Sequence, residues 1–156
     1  MADEIQGIRE GLKQILADQH NTMREVLDGL DKDGLNWSPG PETNSIAVLF
    51  THLLGAENSM TATIAQEAFD RDRDAEFRVT VDDVDTMRQK VDEIEARIMP
   101  RIDKLSLADL AGMHSPPGDR LGRVHLGSWW VFHAVEHNRE HIGQALLTRQ
   151  LYEQQG

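Results

Sequence analysis

The sequence contains no cysteine, and that absence removes several chemistries at once. Disulfides, thiolate zinc sites and a thiol nucleophile belonging to the chain are all excluded. Aromatic side chains are few, 5% of the total, and two of the three tryptophans are the adjacent Trp129 and Trp130. Positive charge is scarce as well: 16 basic residues stand against 27 acidic ones, a formal net charge of −11 at pH 7. A nucleic-acid partner needs a basic surface to neutralise phosphates, so none is expected, and an anionic membrane surface is disfavoured for the same reason. No apolar run approaches the length of a membrane span. The opening residues MADEIQGIRE carry neither the basic nor the apolar stretch of a signal peptide, so a soluble cytoplasmic protein is expected.

What is present is helical periodicity. A length of 156 residues is read as one domain, 1–156. Ile5, Ile8, Leu12, Ile15, Met23, Val26 and Leu30 recur on one helix face and predict a long helix from Asp3 to about Leu30. The segment LDKDGLNWSPGPETNS breaks the pattern with two prolines and two glycines. Thr43 or Asn44 is then expected to cap a second long helix, roughly 45–68. FDRDRDAEFRVT (69–80) is a charged connector, and the alternation over 77–81 is the one hint of a strand. A third helix is predicted over 82–104 from Val84, Met87, Val91, Ile94, Ile98 and Ile102, with Asp82 as its cap and Pro100 expected to kink or interrupt it near Arg97. A long connection, 106–125, contains Pro116-Pro117-Gly118 and one short turn around Leu107–Leu110; a fourth helix follows from about Leu126 to Tyr152. Four long amphipathic helices predict an all-α fold, a four-helix bundle with long crossover connections.

The chemistry lies in the histidines. His133, His137 and His141 recur every four residues in the last helix. Residues i and i+4 share a helix face about 6 Å apart along the axis, so an adjacent pair can bind one divalent ion. His133 and His141 are about 12 Å apart along the axis, so at most two of the three bind the same ion. The apolar residues Ala134, Val135, Ile142, Ala145 and Leu146 place the His137/His141 pair near the core. A further ligand must come from elsewhere, and His52 in SIAVLFTHLLGAE, on the second helix, is the candidate. His133 is expected behind the ligands or as a packing residue. His20, His114 and His125 carry no spacing signal. Both HAVEH and HNREH match the H-x-x-E-H pattern of inverted zinc proteases. That family needs a further acidic ligand far downstream, and only 15 residues follow His141, so Glu136 and Glu140 are read as helix-face charges, with Glu140 also a candidate behind the ligands.

Three segments together resemble a known family. WWVFHAVEHNREHIGQALLTRQL is similar to the last helix of the DinB-like (YfiT-like) four-helix-bundle metalloproteins, NSIAVLFTHLLGAEN to their second helix, and LNWSPGPETNS to the loop leading into it. The resemblance implies one divalent metal ion, zinc or nickel, bound by His52, His137 and His141. It also implies kinship with transferases and isomerases that use a small-molecule thiol such as mycothiol, bacillithiol or glutathione, alongside members of no known activity.

Three neutral imidazoles without a thiolate suit zinc, nickel, copper or cobalt, and leave a fourth position for water or substrate. The expected function is metal-dependent transfer of a low-molecular-weight thiol to a small electrophile. The alternatives are a non-catalytic, stress-related metal-binding bundle, a metal-dependent hydrolase, or a helical interaction module with incidental histidines. Arg71 and Arg73 are candidates for the rim of the pocket, where a substrate carboxylate would bind. Gln144, one turn after His141, is a candidate partner for a ligand. A homodimer is expected, on a face that the sequence leaves open.

Overall fold

A computed structural model of the protein describes residues 3–156. Four long helices carry it: α1 (Gln6–Leu27), α3 (Ile46–Ile64), α5 (Val84–Asp103) and α7 (Gly127–Glu153). Three short helices sit in the connections, α2 (Lys32–Asn36), α4 (Arg73–Glu76) and α6 (Leu107–Ala111). The only sheet among the described residues is an antiparallel ribbon of β1 (Met113–His114) and β2 (His125–Leu126), with His114 opposite His125. The all-α bundle is therefore as the sequence predicts, and no described helix is long and apolar enough to cross a membrane.

Local chemistry sets the helix ends, in places one residue from expectation. Ser45, rather than Thr43 or Asn44, caps α3: its backbone is extended and its side chain accepts from the Val48 amide, satisfying a donor that the first turn leaves free. Asp83, rather than Asp82, does the same for α5 through Thr86. Pro100 does not interrupt α5, which runs on to Asp103. The missing amide falls in the last turn, where one lost backbone bond is tolerated more easily than in mid-helix. The alternation over 77–81 forms no strand. Val79 and Val81 simply turn inward onto the core from an unpaired extended segment, and the ribbon forms instead in the long connection.

The core has two apolar clusters. One gathers Met23, Leu27, Phe50, Leu53, Met87, Val91 and Ile142; the other gathers Leu16, Met60, Ile98, Ile102, Trp130 and Ala134. Each fully buried side chain of this size stabilises the fold by about 1.5–3 kcal/mol. Nearly every residue of α3 is buried, because the other long helices and the connections surround it.

Between the two clusters each long helix contributes polar residues: Gln19 and His20 from α1, Glu57 from α3, Glu95 from α5, and Asn138 from α7. His20 is fully buried, with Nε2 at 3.0 and 2.9 Å from the two Glu57 oxygens and Nδ1 at 2.7 Å from Glu95 Oε2. Burial opposes the charged ring, but the two carboxylates outweigh it and hold His20 above its ordinary pKa. Gln19 donates to the Val135 carbonyl and accepts from Asn138 Nδ2 at 3.1 Å, joining α1 to α7. This polar layer fixes the register of the helices beside the histidine site.

Candidate metal centre

His137 and His141 lie one turn apart on α7 and face His52 on α3. The His52 and His137 Nε2 atoms are 3.1 Å apart, and those of His141 and His137 are 3.2 Å apart. All three residues offer ligand atoms within 4.8 Å of one another, the only such group among the described residues. The structure thus brings together the three histidines singled out in the sequence. It leaves His133 outside the cluster, as the 12 Å axial separation from His141 requires.

The atoms behind these rings decide which nitrogen is free. His52 Nδ1 is 3.0 Å from Glu76 Oε1, a carboxylate that only accepts, so Nδ1 carries the proton and Nε2 keeps its lone pair. His141 Nδ1 donates to Gln144 Oε1 at 2.7 Å, with the same consequence. Two lone pairs therefore point at the third ring. Burial first, and then electrostatic repulsion from His141 and His52, push the His137 pKa down to about 3, so this imidazole is neutral at pH 7. Its Nδ1 is buried without a hydrogen-bond partner among the described residues.

Converging neutral imidazole nitrogens repel unless a proton or a cation lies between them. Two nitrogens bound at 2.0–2.1 Å to a tetrahedral zinc are separated by about 3.4 Å, close to the spacings found here. The residues fit a divalent ion of borderline character, held by three imidazoles.

Glu76 is itself held in place. Arg71 grips it with Nε on Oε2 and Nη2 on Oε1, both at 2.8 Å, and places Nη1 3.2 Å from Ser59 Oγ. Burial would raise the Glu76 pKa, but His52 and Arg71 prevail and hold it below the usual carboxylate value. Room for this carboxylate comes from Gly55, one turn beyond His52: a Cβ there would overlap Glu76 Oε2. Arg71 thus lines the cavity with its guanidinium already engaged by Glu76.

The cluster opens on a cavity of about 610 Å³, lined by His52, His133 and His137 with Met60, Phe69 and Trp130. Residues 116–121 of the long connection close one side. Trp130 is anchored by its indole donating to the His114 carbonyl at 3.0 Å, and Arg123 lies over its ring. His133 stacks on Trp129 and bonds through Nδ1 to the exposed Glu136 at 2.9 Å. Arg73 borders the cavity, whereas Glu140 stands exposed on α7 outside the cluster. Glu76, Gly55 and Phe77, whose ring packs 4.7 Å from that of His52, carried no sequence signal. Glu76 and Phe77 come from a connector without periodicity, 24 and more residues after His52, and Gly55 sits one turn from His52 on the buried helix α3.

The model of the DinB superfamily matches residues 15–145. Among solved structures, the chain is similar to a DinB-like protein from Bacillus cereus at 15% identity and a TM-score of 0.74, with 92% of each chain covered. A DinB-like protein from Bacillus subtilis, YjoA, aligns at 14% identity and a TM-score of 0.71, again over 92% of each chain. A conserved protein from Enterococcus faecalis gives 14% identity and a TM-score of 0.74, over 91% of this chain and 95% of that one. Comparison with curated protein sequences returns no match.

Proposed function

The chain belongs to the DinB superfamily, and on that premise we propose that it is a metal-dependent enzyme that transfers a low-molecular-weight thiol to a small electrophile. The observation carrying this reading is the convergence of three imidazoles beside a cavity large enough for a substrate, with His52 and His137 in its wall. A zinc or nickel ion held by His52, His137 and His141 would act as a Lewis acid at which a bound thiol loses its proton more readily. Since the chain has no cysteine, the sulfur must come from a co-substrate.

The protein's own residues supply position and proton traffic. Glu76 and Arg71 orient His52; Gln144 orients His141. Trp130, Met60 and Phe69 give the cavity an apolar wall. His133, hydrogen-bonded through Nδ1 to Glu136 and lining the cavity, would take the thiol proton on Nε2. The sulfur then bonds to the electrophilic carbon, and the displaced electron pair leaves with the leaving group.

The test starts with untagged protein. Stoichiometric zinc or nickel is expected on purification, and thiols should change the visible spectrum of the cobalt-substituted protein. A spectrum insensitive to every thiol tried refutes thiol binding at the metal. Perturbation without turnover of any electrophile in a broad panel would favour a non-catalytic metal-binding bundle.

A further inference from the structure

Four arginines of this acidic chain line the cavity: Arg71, Arg73, Arg120 and Arg123. Three are already partnered. Arg71 grips Glu76, Arg120 bonds Asp74 at 3.1 and 2.8 Å, and Arg123 bonds Asp119 at 3.2 and 2.8 Å. Arg73 has no hydrogen bond or ion pair among the described residues. Its guanidinium rests 5.0 Å from the centre of the Phe77 ring, and Phe77 in turn packs on His52. Neither acid lining the cavity bonds it. Asp119 is taken by Arg123, and Asp72 accepts from the Ala75 amide as the cap of α4.

The aromatic contact therefore holds a cation beside a metal-binding histidine while leaving its hydrogen-bond donors unused. One guanidinium fork matches one carboxylate. A doubly charged phosphate would call for a second free cation, and the other three arginines are neutralised.

We propose that Arg73 is a specificity-determining residue that receives a carboxylate borne by the small molecule in the cavity. The preferred ligand is an anion with an apolar body: its carboxylate lies on Arg73, and its body lies against Met60, Phe69 and Trp130. The proposal rests on the thiol-transfer reading only for the reaction that follows binding.

Two arms of one experiment test it and show which substrate carries the carboxylate. In the first, cobalt-loaded protein is titrated with ω-mercaptocarboxylates and the matching ω-mercaptoalcohols, read by absorption. In the second, 4-phenylbutanoate and its amide are titrated calorimetrically into the metal-loaded protein. In at least one arm the carboxylate should bind about tenfold more tightly than its neutral partner, the strength of one charge-assisted contact, and raised salt should erode the preference. Arg73→Gln should abolish that preference while metal content, melting temperature and affinity for the neutral compound stay as in the wild type, because the side chain is exposed. Equal binding of charged and neutral partners in both arms, or a preference that survives Arg73→Gln, overturns the proposal. If no thiol perturbs the cobalt spectrum but 4-phenylbutanoate keeps its advantage, the thiol-transfer reading fails and the carboxylate site stands.

Discussion

Replacing Glu76 by glutamine would test how the centre is built while sparing every ligand. Glu76 Oε1 accepts from His52 Nδ1 at 3.0 Å, and the same carboxylate is shared with Arg71. Glutamine keeps an acceptor of the same length, so the ring should remain in place, but the negative charge that makes Nε2 more basic is lost. Removing such an outer partner typically weakens metal binding 10–100-fold. Arg71 already neutralises part of the charge, so the effect belongs at the low end: about tenfold, or ~1.4 kcal/mol. Competition for zinc against a chromophoric chelator measures it directly, and urea unfolding of the metal-free variant reports any loss of fold. Gly55→Ala should weaken zinc comparably by a steric route, since its Cβ occupies the space of Oε2. Zinc affinity of Glu76→Gln within twofold of the wild type would refute the tuning role. A loss as complete as that of His52→Ala would instead mean that the carboxylate holds the metal itself.

Three further outcomes follow from the same geometry. His52→Ala and His137→Ala should each remove stoichiometric metal, whereas His133→Ala should retain it and slow thiol transfer by about 100-fold, measured by metal analysis and single-turnover kinetics. Metal-free protein should lose stability on acidification: His137 titrates at about 3 when folded against an ordinary 6.5, so below pH 6.5 the unfolded chain takes up a proton that the native state refuses. At 1.36 kcal/mol per unit, and discounted for partial exposure, this amounts to roughly 2–3 kcal/mol by pH 3, and urea unfolding of His137→Gln should show that much less pH dependence. Conversely, His20 is raised by Glu57 and Glu95, so its contribution is complete below 6.5 and fades as pH climbs through its elevated folded value. Glu57→Gln should cost about 3 kcal/mol at neutral pH and flatten that alkaline decline in unfolding titrations.

The features legible in the sequence were those encoded by spacing. Four helices follow from residues such as Met87, Val91 and Ile98 recurring at helical period, and the i, i+4 pair His137/His141 follows from the same geometry. His52 was legible as a partner because it lies within an apolar helix that has to be buried. The supports were not legible. Glu76 reaches His52 from a connector with no periodicity, and its place depends on Gly55 lacking a side chain, a steric fact that only three-dimensional proximity reveals. His20 looked unremarkable because its two carboxylates come from helices 37 and 75 residues away. The caps Ser45 and Asp83 differ from expectation by one residue because neighbouring polar residues offer equivalent side chains, and backbone conformation chooses between them.

His52 and His137 meet across 85 positions of the chain. A cation coordinated by both would close that span in the manner of a covalent cross-link, and the chain-entropy cost lifted from folding is roughly 4–5 kcal/mol for a loop of this size. A polypeptide devoid of thiols would thereby possess a fastener between its second and last long helices that opens and closes with metal supply, indifferent to the oxidation state of its surroundings.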